Sequence, residues 1–535
     1  MRVSRRFRIA SHILLICGGV LSAPCSNAED SAGPGPVPPS TPELLAQGKE
    51  IFDRECAACH GAEGRADGPA AYLLYPKPRN FVDSEYRIVS TWERLPTDQD
   101  LFEVITRGMP GSSMPGWVRL PEKERWALVH FVKSLSPRAW PGDATKIPAS
   151  PADDKKGIIS VPTPIAMTPE GRKQAAQLYV DGCLPCHGAT GRGDGQQVQI
   201  DSEGFPTRPR DLTRGIYKGQ PNYESVYRRI VAGIPGTPMP MSDWAIGEKG
   251  SLLAQYVLEM SSSEQRAAAE SHKDILTVVR SEHIPAHPDS REWQVAKAVK
   301  LGLTPLWWRD GFASHVTVRA MHDGKEIAVQ LIWTDATNDH TAIRVEDYRD
   351  AAAVQLSPSL SPPFIGMGQK DSPVNIWMWK SERQASLETA FQDIESTYPN
   401  IGIDSYPNVD QSPLEQPTRH TLTLKSNPTF VTGWGAGNIV SDPTYRLSAE
   451  DLKAHGFGTL KACPLEHQAI SAIGRYDTST YSVTFKRALH AANEDQLELK
   501  PGITLSVAFA VWDGSAGDRD GKKCATIWHE MKIQP

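Results

Sequence analysis

The run Cys56-x-x-Cys59-His60 returns later in the chain as Cys183-x-x-Cys186-His187, and no other feature restricts the fold so tightly. Two thiols one helical turn apart, followed at once by an imidazole, form the attachment signature of c-type haem. Each thiol bonds a vinyl group and the imidazole ligates the iron. A single copy would also suit half of a zinc site. Two copies in matching flanks read as two covalent haems, on Cys56, Cys59 and His60 and on Cys183, Cys186 and His187.

The flanks repeat as well. Gly64-Arg65-Ala66-Asp67-Gly68 matches Gly191-Arg192-Gly193-Asp194-Gly195, and Pro78-Arg79-Asn80 matches Pro209-Arg210-Asp211. Gly108-Met109-Pro110 running on to Met114-Pro115 matches Gly233-Ile234-Pro235 running on to Met239-Pro240. That last pair selects the sixth iron ligands. Isoleucine cannot replace a thioether ligand, so Met109 is set aside and Met114 and Met239 are the axial methionines, with Met241 the weaker alternative. Thr41-Pro42-Glu43 signals a helix start, with apolar residues following at helical spacing, and residues 122–135 read as a closing helix. Helix, motif, long loop and closing helix resemble a small class I cytochrome c domain, here over residues 41–137 and again over 169–262. Histidine–methionine ligation raises the potential relative to a pair of histidines and leaves no open coordination position. Arg79 and Arg210 are candidates for the haem propionates.

A chain of 535 residues is too long for one core. Its N-terminus, with Arg5-Arg6-Phe7-Arg8, an apolar run and Ser26-Asn27-Ala28, reads as a signal peptide over 1–28, which implies export and a periplasmic protein. Cys25 suggests a lipid anchor, but Pro24 before it fits poorly. Residues 29–40 read as a flexible spacer and 138–168 as a linker. The 57 basic residues, less four leader arginines, leave 53 against 63 acidic ones, which disfavours nucleic acid and anionic membranes as partners. No later apolar run approaches the roughly 20 residues of a membrane span. Of eight cysteines, only Cys463 and Cys524 lie outside the leader and the two motifs, as a disulfide or as two buried thiols.

From about Asp274 the pattern changes to short alternating segments rich in Val, Ile, Thr and Trp. His315 to Met321 and Glu326 to Trp333, joined through Asp323-Gly324, predict a hairpin. Further strands are predicted at 374–380, 419–425, 481–488, 503–512 and 524–532, with a helix over 385–397. The fold class is therefore multidomain: two all-α cytochrome c domains, then an all-β sandwich with inserted loops over 272–535.

Four segments of this last region go further: Ile332-Trp333-Thr334-Asp335, Pro362-Pro363-Phe364-Ile365-Gly366-Met367-Gly368, Val374 to Lys380, and Phe509 to Gly514 continuing to Arg519-Asp520-Gly521-Lys522-Lys523 and Trp528. Together they resemble the haem-binding gamma subunit of ethylbenzene dehydrogenase and of related molybdenum enzymes of the DMSO reductase family. The resemblance implies one non-covalent b haem held between Met367 and Lys523, with Met378 and Lys522 as alternatives. It also implies an electron-transfer role with no catalytic residues, between a molybdopterin/iron–sulfur oxidoreductase and a cytochrome or terminal oxidase. The chain departs from that family in carrying cytochrome domains ahead of the sandwich. Two rival readings are a haem-free sandwich that binds a ligand or partner, and a multihaem peroxidase or oxidase with a five-coordinate iron.

Overall fold

The computed structural model describes residues 37–83, 85–136, 139–140, 157–270, 272–388, 397–400 and 447–535. The predicted signal peptide and the strand predicted at 419–425 lie outside them. The helical part opens with α1 (Pro42–Glu55), α2 (Ala57–His60), α3 (Asp98–Arg107) and α4 (Glu122–Ser134). Thr41 accepts a hydrogen bond from the Leu44 N–H at 3.2 Å and Pro42 opens the first turn, so α1 starts where the sequence places it. Leu44, Ile51 and Phe52 on α1 meet Trp126, Leu128 and Val129 on α4 in one buried cluster. A Cβ on Gly48 would stand 2.2 Å from the Ala127 carbonyl oxygen, so the absence of a side chain sets how closely α1 and α4 cross.

The same order follows in α5 (Pro169–Gly182), α6 (Leu184–His187), α7 (Tyr223–Ala232) and α8 (Glu248–Glu259). The Thr168 hydroxyl caps α5 as Thr41 caps α1, and Ala175, fully buried, occupies the place of Gly48. The two repeat units interlock. Arg107 makes two bonds of 2.6 and 2.7 Å to the Glu270 carboxylate and a third of 2.6 Å to the Gly219 carbonyl. Arg229, on α7, donates to the Val89 carbonyl. Two stretches read as loose are ordered. The Ile159 N–H donates to the Ser90 carbonyl at 2.9 Å, so the predicted linker ends as a strand-like rib with Ile159 buried. The polar stretch between the second helical unit and the sheet, residues 261–270, contains α9 (Ser263–Ala269), started by a reciprocal cap between Ser262 and Gln265.

The strands described are β1 (Ile275–Arg280), β2 (Val299–Gly302), β3 (Thr304–Pro305), β4 (His315–His322), β5 (Glu326–Thr334), β6 (Ala351–Ser357) and β7 (Val374–Lys380). They continue with β8 (Ala449–Ala454), β9 (Lys461–Ala462), β10 (Ser471–Asp477), β11 (Thr480–Ala488), β12 (Thr504–Trp512), β13 (Cys524–Ala525) and β14 (His529–Ile533). All join one hydrogen-bonded mixed sheet with the path β10-β11-β5-β4-β1-β14-β12-β6-β7-β8-β9. β1 runs parallel to both neighbours and the remaining pairs are antiparallel. The two halves of the path turn toward each other, with β10 and β11 reaching β7 and β8. Val278, Val318, Leu331, Val354, Trp377, Phe485 and Val507 fill the space between them.

The β4–β5 hairpin forms in the expected place, paired from Val316 opposite Trp333 to His322 opposite Ile327. The strand predicted at 524–532 is divided into β13 and β14. The helix predicted from 385 starts earlier, as α10 (Ser381–Glu388) directly after β7, and residues 389–396 lie outside the description. Cys463 and Cys524 are both buried free thiols.

Candidate functional site

In the first repeat unit α2 carries the motif. The His60 amide donates to the Cys56 carbonyl at 3.0 Å, and neither Cys56 nor Cys59 is in a disulfide among the described residues. His60 Nδ1 lies 2.9 Å from the Arg79 carbonyl oxygen and its ring stacks on Phe81 at 4.6 Å. A carbonyl there selects the tautomer with hydrogen on Nδ1 and leaves the Nε2 lone pair for a metal. Burial pulls the His60 pKa down to about 4, which keeps the ring neutral. The second unit repeats the turn, with the His187 amide donating to the Cys183 carbonyl at 2.9 Å. It differs in one respect, because His187 Nδ1 is buried with no partner among the described residues.

The two methionine loops share one hydrogen-bond pattern. The Met109 amide donates to the Met114 carbonyl at 3.0 Å, and Ile234 to Met239 at 3.1 Å. Ser112 Oγ returns to the Met109 carbonyl at 2.6 Å and Thr237 Oγ1 to the Ile234 carbonyl at 2.8 Å. Gly108 and Gly233 enter these loops at φ 75° and 69°. A Cβ on either would strike the backbone beside the methionine at 2.4–2.5 Å, so glycine is required twice. Met114 and Met239 therefore stand at corresponding points of a loop built the same way, whereas Met109 is matched by Ile234.

Met367 and Lys523 are brought to one cavity of about 810 Å³ on the outer face of the sheet. Its floor is made by side chains of like parity on adjacent strands. Register places Ala510 opposite Ala353, Ala353 opposite Met378, and Ala351 between Trp512 and Lys380. Ala351, Ala353, Ala508, Ala510 and Ala525 leave a shallow floor of small residues wide enough for a flat ring. Sequence reading missed this floor, since its members come together only through strand register.

Met367 sits on a braced loop. Gln355 Nε2 donates to the Ile365 carbonyl at 3.0 Å, Trp528 Nε1 to the Pro363 carbonyl at 3.0 Å, and the Gly456 amide to Met367 itself at 2.9 Å. Its backbone is left-handed, φ 77°, a strained state for a side-chain-bearing residue that concentrates at functional positions. Lys523 ends a loop held by the paired Arg309–Asp518 bonds of 2.7 Å. The neighbouring Lys522 is committed, donating to the Ala516 carbonyl at 2.6 Å. Lys523 Nζ instead lies 4.9 Å over the Trp512 ring and borders the cavity rather than bulk water. Burial there lowers its pKa to about 8, with Asp520 opposing. A thioether and a poorly solvated amine over an apolar floor suit haem iron better than a polar ligand.

The same cavity runs on to the first repeat unit, where Cys59, Ser112, Met114 and Pro115 line it. Around it the two parts are joined. Tyr75 exchanges backbone bonds with Leu306 and Trp308 at 2.9 and 2.7 Å and stacks on Trp307 at 5.3 Å. Gln369 Nε2 donates to the Arg54 carbonyl at 2.7 Å, and Phe364 belongs to the core of the first helical unit.

Residues 45–136 match the family model described as Cytochrome c, and residues 291–524 match the one described as Ethylbenzene dehydrogenase. A protein described as a respiratory nitrate reductase heme subunit of Haloferax mediterranei is 23% identical over 265 residues, 48% of this chain and 71% of its own length. The dimethylsulfide dehydrogenase subunit gamma of Rhodovulum sulfidophilum is 23% identical over 239 residues, 43% of this chain and 65% of its own length. A solved chain of the reducing HAO-like protein complex of Kuenenia stuttgartiensis is 32% identical, covering 40% of this chain and 96% of that one with a TM-score of 0.36. The chain thus carries a cytochrome c domain followed by an ethylbenzene dehydrogenase-type haem domain, and is a haem protein of electron transport.

Proposed function

We propose that the chain is a three-haem electron relay of the periplasm. One covalent c haem is held by Cys56, Cys59, His60 and Met114, and another by Cys183, Cys186, His187 and Met239, each in its own cytochrome c domain. A b haem is held between Met367 and Lys523. The relay runs between a molybdopterin/iron–sulfur oxidoreductase and a respiratory partner such as a cytochrome or terminal oxidase, in the manner that the gamma and heme subunits among the relatives suggest. The observation that carries the reading is the single cavity bordered at one end by Met367 and Lys523 and at the other by Cys59 and Met114. Electron transfer between two haems needs a short separation, and residues assigned to both haems lining one cavity support such a path.

Haem, when bound, supplies one-electron iron chemistry. The protein's own residues do the rest. The Arg79 carbonyl aims His60, the alanine floor and Trp512 exclude water, and the braced loops carry Met367 and Lys523. Two protein side chains held ready for each iron would favour electron passage over substrate binding, which separates this reading from a peroxidase.

A pyridine haemochrome spectrum of the purified protein, with extractable haem counted apart from covalent haem, tests the proposal. Two covalent haems and one extractable haem per chain are expected. Two covalent and none extractable, from cells grown with ample haem, would leave the sheet domain as a haem-free partner- or ligand-binding module.

A further inference from the structure

Between the two repeat units lies a group of four cations that the haem ligands do not explain. Arg79 and Arg87 come from the first unit, Arg210 and Lys218 from the second. Arg79 pairs with Glu203 at 2.5 Å and Arg87 with Asp201 at 2.8 Å. The other two have no carboxylate within ion-pair distance among the described residues. Arg210 is 9% exposed, and its Nε donates only to the Pro110 carbonyl, at 3.3 Å. Lys218 Nζ has no hydrogen-bond acceptor among the described residues, and the repulsion of Arg210, Arg87 and Arg79 reaches it against the attraction of Asp201. Arg87 Nε is buried without a partner among the described residues as well. Four cations, Arg210 buried and the others half-buried, thus face two carboxylates, and such an excess of poorly solvated positive charge favours a bound anion.

The group touches both motifs. The Arg79 carbonyl oxygen lies 2.9 Å from His60 Nδ1, and on the second motif a Cβ on Gly193, whose amide donates to the His187 carbonyl at 2.9 Å, would stand 3.4 Å from the Arg210 carbonyl oxygen. Arg210 reaches across the interface to Pro110, inside the loop that presents Met114, where it packs so closely that a Cβ on Gly111 would meet its Nε at 2.9 Å.

We propose that Arg79, Arg87, Arg210 and Lys218 form one anion site shared by the propionates of both covalent haems, so that a charge contributed by one repeat unit sets the potential of the haem in the other. The inference rests on the reading that both motifs carry haem. A nearby cation favours the ferrous state, which carries one positive charge fewer, and so raises the midpoint potential. A shared site makes this influence mutual.

The test is a spectroelectrochemical titration of the purified holoprotein, following the two c-haem waves, in the wild type and in Lys218→Met. Both waves should move to lower potential. Lys218→Arg should hold both near the wild-type values, and Glu203→Gln, which removes an opposing anion, should move both upward. If Lys218→Met moves one wave alone, or neither, the shared site is refuted. Should Lys218→Met fold poorly, Arg87→Gln is read by the same criterion. The covalent haem count of each sample separates the two failures: fewer than two covalent haems in the wild type overturns the underlying reading, whereas two haems with independent waves overturns only this inference.

Discussion

Replacing Met367 in two ways separates its backbone from its sulfur. At φ 77° a residue with a Cβ carries a cost of about 1–2 kcal/mol that glycine escapes. Glycine loses part of that advantage, about 0.5–1 kcal/mol, through the greater freedom of its unfolded chain. Both Met367→Gly and Met367→Ala remove the same side chain from the cavity wall, so their lost burial largely cancels in the comparison. The haem-free glycine variant should therefore be the more stable by about 0.5–1 kcal/mol, a reversal of the order found in helices and strands. In a domain of this size that corresponds to roughly 1–4 °C in Tm. Urea midpoints of the two haem-stripped variants measure it, and extractable haem measured alongside reads the ligand role, which both variants should lose. An alanine variant equal to or more stable than the glycine one would refute the strain argument. Full extractable haem in either would refute the thioether as a ligand.

Gly48→Ala should cost about 1–3 kcal/mol, because the new methyl would have to displace the Ala127 carbonyl at the α1–α4 crossing; thermal unfolding followed by circular dichroism measures it. Burial, followed by the charges of Asp350 and Asp513, raises the Asp335 pKa to about 7 from 3.8. The folded chain then binds the extra proton between about pH 4 and 7, so stability falls as pH rises through that window, by up to about 4 kcal/mol. Asp335→Asn should flatten the slope and raise stability at pH 7.5, read from urea midpoints at pH 5 and 7.5; an unchanged slope would contradict it.

Local chemistry made some elements readable in advance and left others hidden. The Cys-x-x-Cys-His runs, the Thr-Pro helix start, the Asp323-Gly324 turn and α4 are specified by neighbours in sequence, and the structure has them there. β6 was not readable, because Ala351-Ala352-Ala353 has little strand propensity; its conformation is imposed by β7 and β12 on either side. Ala351 and Ala353, on the face of β6 opposite Ala352, explain why the cavity floor was invisible. A site made of residues chosen for what they lack appears only once distant strands are set in register. The helix α9 and the ordered rib at Ile159 were missed for a related reason, since polar or proline-rich stretches read as linkers until a tertiary partner is known.

The interlock between the repeat units bears on how such a protein can be taken apart. Here Arg107 is satisfied by Glu270 and by carbonyls of the second copy, and the loop carrying Met114 is held from outside by Arg210. Each copy has come to complete the other. Excising the first unit would leave Arg107 without its bonds and the Met114 loop without its brace, so the unit of sequence repeat is not the unit of structure. For anyone cutting or grafting this chain, the pair must travel together with α9 and Glu270, and even then it leaves Phe364 and Gln369 of the sheet domain behind.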